Sequence, residues 1–276
     1  MREDFAIFIL SHNRARDIDT LQLLRKYHYS GKWYVVISTD NTQVEEYQSL
    51  IPKENLLIFN KEDYLYVGDT MVSSYEPQWS SALYARNFIL DKAKELNLEC
   101  FIMADDDIKK ILFRYKENNK MRSLEIENLD DVLLSVREFL FCSEHLGGVC
   151  FAFDAGYFGG LNGNFSQGLT RRVFQFMMFK TRESRKFVGV RCEDYMISFS
   201  NTTRVFFAIW RLSICSPPMM SNSGGIEYET DRYYEPCFPY VMSPSGVMAK
   251  ENGKRIIQEN KLLPKIISSK YKRNEK

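Results

Sequence analysis

The sequence predicts an α/β protein with a mixed, largely parallel central sheet flanked by helices. Three observations predict it. Short apolar runs alternate with segments of helical spacing through residues 5–104. The runs end in polar or charged residues, as strands entering loops do. One of them, Cys100-Phe101-Ile102-Met103-Ala104, leads straight into three aspartates.

Phe5–Leu10 reads as a buried strand. Residues 17–29 carry Ile18, Leu21, Leu24 and His28 at helical spacing. Residues 33–37 read as a second strand. Residues 41–50 form a polar helix that Pro52 stops, and Leu56–Phe59 is a third strand. The clearest helix is 80–98. Ser81 is placed to cap it, and Ala82, Ala85, Ile89, Ala93 and Leu96 make an apolar stripe. Residues 100–104 are the fourth strand. Beyond it, 128–146 reads as an amphipathic helix closed by Gly147-Gly148. Residues 149–153 are strand and the glycine-rich 156–168 a loop. Residues 173–179 and 204–214 read as longer strands, and 247–263 as a terminal helix. In such sheets ligands bind outside the C-terminal strand ends. Ser11, His12, Asn13 and Arg14, then Asp40, then Asp105 to Asp107, all fall at such ends. Neighbouring strands would bring them into one crevice.

The chain has 276 residues, 45% of them hydrophobic, enough for one large core. With 37 basic and 36 acidic residues, no global field steers it to a polyanion or a membrane. The charge is locally uneven. Segment 171–191 sets Arg171, Arg172, Lys180, Arg182, Arg185, Lys186 and Arg191 against the single acid Glu183, and 261–276 is a second basic stretch. The first interleaves with Phe174, Phe176, Phe179 and Phe187, a pattern able to neutralise phosphates and stack on bases. The same alternation suits a core strand. The six cysteines include no CxxC pair and the three histidines are far apart, so zinc-ligand spacing is absent. The cysteines in apolar runs read as buried thiols of a reducing compartment. No stretch approaches the roughly 20 apolar residues of a membrane span, and no leader pattern opens the chain. The expectation is a cytoplasmic protein without a membrane anchor, as a phage protein acting in its host's cytoplasm would be.

Asp105-Asp106-Asp107 is the strongest chemical signal. Adjacent carboxylates at the end of a buried strand repel one another unless a positive group joins them. Mg²⁺ or Mn²⁺ does so with one or two carboxylates plus substrate phosphates. In extended backbone Asp105 and Asp107 share a side, which assigns those two to the metal. An acidic turn capping a following helix would use the same residues.

In this setting the chain resembles the GT-A glycosyltransferases, whose sheet is Rossmann-like. Tyr84-Ala85-Arg86-Asn87-Phe88-Ile89 ahead of the aspartate strand carries the likeness, together with Ser11-His12-Asn13-Arg14 after the first strand. The resemblance implies donor-binding roles for Ser11, His12, Asn13, Arg14, Asp40, Arg86, Asn87 and Asp105. It implies a nucleotide-sugar co-substrate, taken as a UDP-sugar, and it makes Asp194, with Glu193, the general base toward the acceptor. It also implies one domain, with residues 1–110 holding the donor, 111–264 the acceptor, and 265–276 a basic tail. The run Phe101-Ile102-Met103-Ala104-Asp105-Asp106-Asp107-Ile108-Lys109-Lys110 further resembles the TET-associated glycosyltransferases, grouped with the base J glucosyltransferases. That implies a hydroxymethylated pyrimidine in DNA as acceptor, with Arg171, Arg172, Lys180, Arg182, Arg185 and Lys186 as nucleic-acid contacts, and an inverting transfer. A carbohydrate, lipid or protein acceptor, and a non-catalytic binding module, are the competing readings.

Overall fold

The structure, a computed structural model, describes residues 5–67, 82–153, 175–187, 193–194, 197, 205–216, 249–251 and 254–256. Strands β1 (Phe5–Leu10), β2 (Lys32–Ser38), β3 (Leu56–Phe59) and β4 (Cys100–Asp105) are mutually parallel and lie in the order β3-β2-β1-β4. Their apolar runs are continuous because a parallel sheet is covered on both faces. Helices α1 (Asp19–Lys26), α2 (Val44–Leu50) and α3 (Leu83–Glu95) fall between them in sequence.

The sheet continues past β4 through β5 (Lys110–Glu117), β6 (Lys120–Glu125), β7 (Leu146–Phe153), β8 (Phe176–Lys180) and β9 (Val205–Cys215), in the order β4-β8-β7-β9-β5-β6. Here the pairings are antiparallel except β7 with β9. The expected mixed α/β class is what the chain adopts.

Alternation along the strands sorts the core onto two faces. Phe5, Ile7 and Ile9 of β1, with Ile102 and Ala104 of β4, pack against α1, α2 and the helix α4 (Leu129–Phe141). Ala6 and Phe8, with Phe101 and Met103, pack against α3. This sorting decides where the aspartates after β4 point.

Several boundaries differ from the sequence reading. Helix 17–29 is shorter, Asp19–Lys26. Asn128 lies just outside α4 as its N-cap, accepting from the Asp131 amide, and α4 stops at Phe141, so Gly147-Gly148 belongs to β7. Gly148 serves packing rather than capping: a Cβ there would lie 2.9 Å from the Phe179 ring and 3.0 Å from that of Phe206. The hairpin β5–β6 is absent from the sequence reading. Its turn is Asn118-Asn119, with φ of 50° and 61°, the left-handed pair that a type I′ turn demands. The terminal helix expected over 247–263 is overturned, since β10 (Ala249–Glu251) pairs antiparallel with β11 (Lys254–Ile256). The Asn252-Gly253 between them in sequence is a strong two-residue turn signal that helical spacing obscured. Ser81 and the loop expected over 156–168 lie outside the described residues. Among the described residues no helix is long and apolar enough to cross a bilayer, and Cys100, Cys142, Cys150 and Cys215 are free thiols.

Candidate active site

Because β1 lies between β2 and β4, all parallel, the C-terminal ends of the three strands are adjacent. Ser11, Asp40 and Asp105 each follow or close one of them. The strand β4 ends at Asp105, and Asp106-Asp107 turns away. Extended backbone therefore stops at Asp105, so the alternation that would set Asp105 and Asp107 on one side does not reach Asp107. Thr20, fully buried at the start of α1, holds the turn. Its hydroxyl donates to the Asp105 carbonyl at 2.6 Å, its amide donates to the Asp106 carbonyl at 3.0 Å, and its Oγ1 accepts from the Ile108 amide at 3.1 Å.

Asp106 faces α1 and α2. Its carboxylate accepts from Ser11 Oγ at 2.7 Å and from Arg14 Nη1 at 3.0 Å. With the Ser11 proton used there, Tyr47 Oη donates to Ser11 Oγ at 2.6 Å and itself accepts from the Arg14 amide at 3.0 Å. The relay runs Arg14 amide, Tyr47, Ser11, Asp106. It fixes the loop after β1, where Asn13 has φ 54° and its Oδ1 accepts from Thr42. The Asp106 carboxyl is raised above its ordinary value by burial, against the lowering effect of Ser11 and Arg14. Burial raises Tyr47 as well.

Asp105 faces α3. Its carboxylate lies 3.6 Å from Arg86 Nη2, while Arg86 Nε donates to Glu193 Oε1 at 3.1 Å. The guanidinium sits over the Phe187 ring, 5.7 Å from its centroid. Arg86 is only 5% exposed, and Glu193 and Asp194 are buried beside it. Burial lowers the Arg86 pKa, but Glu193, Asp105 and Asp194 together outweigh it and hold the charge. Burial raises the Asp105 carboxyl to about 7; Arg86 opposes the rise, and Asp107, Asp106 and Glu193 add to it. Five carboxylates thus share a small region with two guanidiniums, Arg14 and Arg86.

Other expected residues fare differently. Asn87 is fully buried, donating to the Phe187 carbonyl at 3.0 Å and accepting from its amide at 2.8 Å. Through these two bonds it pins the chain ahead of Glu193. Lys180 is also buried, donating to the Ser143 carbonyl at 2.9 Å. Arg182 and Arg185 are exposed, and Lys186 lies 3.8 Å from Asp91 of α3. Arg171 and Arg172 are outside the described residues.

Sequence reading missed Tyr47, Thr20 and Lys61. Lys61 is buried and donates to Asp40 at 2.8 Å, and with Thr39, Asp40, Asn60 and Glu62 it lines a cavity of about 250 Å³. Burial pushes the Asp40 carboxyl up, but Lys61 and Ser38 more than offset this and leave it below its ordinary value. Burial and Lys61 lower His12, against Asp40. A depressed carboxyl contributes stability that is present above its unfolded value and lost as pH falls through the folded one. Lys61→Met is therefore expected to raise the Asp40 pKa and remove that contribution. Carbon-13 NMR titration of the side-chain carboxyl reads it directly, and an unmoved midpoint would refute the pairing.

A crevice at the C-terminal ends of parallel strands is where α/β sheets bind their ligands, and clustered carboxylates suit a hard cation there. The sequence profile of the TET-Associated Glycosyltransferase family matches residues 5–207, and the chain belongs to that family. No curated protein matches in sequence. Among solved structures, glucosyl-3-phosphoglycerate synthase from Mycobacterium tuberculosis, in complex with Mg²⁺ and UDP, is 12% identical, over 92% of this chain and 86% of its own, with a TM-score of 0.44. TarS 1-349 from S. aureus is 16% identical over 76% of this chain and 60% of its own, at a TM-score of 0.37. A cytidylyltransferase from Leptospira borgpetersenii is 13% identical over 75% and 77%, at 0.40.

Proposed function

We propose that this glycosyltransferase moves a sugar from a nucleotide-diphosphate donor to the hydroxyl of a hydroxymethylated pyrimidine in DNA, with inversion, in the cytoplasm. The observation that carries the proposal is the surplus of buried carboxylates where β4 ends, beside the loop after β1. Such a surplus fits a hard divalent cation, Mn²⁺ or Mg²⁺. Among the described residues no three His, Cys, Asp or Glu side chains form a complete ligand set. A cation that shares its shell with a diphosphate needs only one or two carboxylates from the protein. Asp106 is committed to Ser11 and Arg14, which supports Asp105 and Asp107 as the holders. When bound, the cation would neutralise the diphosphate leaving group as a Lewis acid.

The chain's own residues do the rest. The relay through Tyr47 orders the loop that meets the donor. Asp40 and Lys61 shape the small cavity beside it, suited to the donor's base. Arg86 orients Glu193 and Asp105 from one buried guanidinium. Glu193 commits an oxygen to Arg86, so Asp194 is the group assigned to take the acceptor's proton. A base inside a duplex must leave the stack to reach it. The DNA acceptor rests on family membership.

The test is direct. Full-length protein is incubated with Mn²⁺, a panel of nucleotide sugars and DNA carrying 5-hydroxymethylcytosine or 5-hydroxymethyluracil, and the digested nucleosides are weighed. A hexose or pentose mass increment on the modified base is expected. Donor turnover that appears only with a carbohydrate, lipid or protein acceptor would reject the DNA reading and keep the transferase.

A further inference from the structure

At the end of the sheet opposite the carboxylates lies a second cavity, of about 540 Å³. In register, Lys180 of β8 stands against Cys100, the first residue of β4, whereas Asp105 closes that strand. The cavity is therefore about 17 Å along the strand from the aspartates. Its lining includes Lys94, Lys180, Thr181 and Arg182.

Two of these are polar side chains almost wholly taken from solvent: Lys180 is 6% exposed and Thr181 4%. Lys180 is aimed by its bond to the Ser143 carbonyl and by the Phe141 ring, 5.3 Å from its ammonium. Thr181 Oγ1 is buried with no hydrogen-bond partner. A buried hydroxyl left unsatisfied costs about 1–3 kcal/mol, so such groups ordinarily meet a ligand or water. The one carboxylate in the lining, Glu99, is paired with Arg137. The C-terminal end of α3 also borders the cavity, but its about half unit of negative charge is smaller than that of the three cations.

We propose that this cavity is a binding site for a phosphate group, held by Lys94, Lys180 and Arg182 with the Thr181 hydroxyl as a further donor. The chemistry selects a tetrahedral oxyanion: cations surround it and a neutral donor completes its shell. Free phosphate and the backbone phosphate of a nucleic acid present the same group. Arg185 and Lys186 follow on the segment that leads from the cavity along α3 to Phe187 and Arg86, a course that a nucleic-acid backbone could follow. The site stands independently of the transfer reaction.

Calorimetric titration of the full chain with inorganic phosphate, at constant ionic strength and with a saturating nucleoside diphosphate and Mn²⁺ occupying the donor site, tests it. Saturable binding is expected in the wild type. Thr181→Val, nearly isosteric, is expected to weaken it about tenfold, as loss of one hydrogen bond to a charged group does. Thr181→Ser is expected to restore it, and exposed Lys94→Ala to weaken it about threefold. Circular-dichroism melting confirms that each variant is folded. An unmodified oligonucleotide that displaces the phosphate identifies the backbone as the source; one that does not identifies free phosphate. Either outcome supports the site. Absence of saturable binding, or binding that both Thr181→Val and Lys94→Ala leave unchanged, overturns it.

Discussion

Asp105→Asn is expected to abolish sugar transfer while leaving the protein folded and at least as stable. Lewis-acid stabilisation of a leaving diphosphate supplies several kcal/mol, and each 1.36 kcal/mol is tenfold in rate. Weakening the cation's hold should therefore cost about a thousandfold or more in kcat. Stability responds in the opposite sense. Asp105 is crowded by Asp106, Asp107 and Glu193, and a neutral isostere relieves that repulsion while Glu193 keeps Arg86 paired at 3.1 Å. Loss of activity without loss of stability is the mark of a site that trades one for the other. Asp107→Asn should behave alike in activity. Asp106→Asn should differ, because it weakens the acceptor for Ser11 and Arg14 and loosens the loop after β1. Turnover and urea midpoints measured on all three separate the cases. An Asp105→Asn enzyme that works normally, or works in excess chelator, would remove the cation from the mechanism.

The parallel half of the fold was legible because its signal is local. Phe5–Leu10 and Leu56–Phe59 read off the sequence with the boundaries they have, since a strand buried on both faces is a bare apolar run. The hairpin β5–β6 was hidden because its residues are half exposed and charged, Lys110, Arg114, Lys116, Lys120 and Arg122 among them. Only Asn118-Asn119 announced it. Gly147-Gly148 misled in the other direction, because a glycine required by close approach of Phe179 and Phe206 looks in sequence like a helix stop. At the site, the place of Asp105 at a strand end was readable. The partner of Arg86 was not: Glu193 lies 107 positions away, and no spacing rule reaches so far. Tyr47 and Lys61 went unnoticed for the same reason, each acting on a strand end from a neighbouring connection.

Arg86→Met is expected to produce the largest loss of stability of any single change at the site. Arg86 is buried, and its guanidinium answers Glu193 and Asp105 at once. Methionine fills most of the volume but leaves both carboxylates with less countercharge, and breaking a buried pair from one side costs about 3–5 kcal/mol. Against a typical total of about 5–15 kcal/mol, that leaves a marginal protein. The measurement is urea unfolding of wild type, Arg86→Met, Glu193→Gln and the double variant. The double variant should recover part of the loss, since a neutral amide in place of the Glu193 carboxylate no longer demands a cation, and the cycle yields a coupling energy of about 0.5–3 kcal/mol. Arg86→Lys should not substitute, because a single ammonium cannot present Nε to one carboxylate and Nη2 to another. The result discriminates between two roles for the same arginine. A residue that only grips the donor's phosphates from the crevice wall would leave the unfolding midpoint in place and raise KM. A residue that organises the acidic cluster from beneath lowers the midpoint, and its effect depends on the charge at Glu193. From its burial and its distances to Glu193 and Asp105, the second outcome is the one we expect.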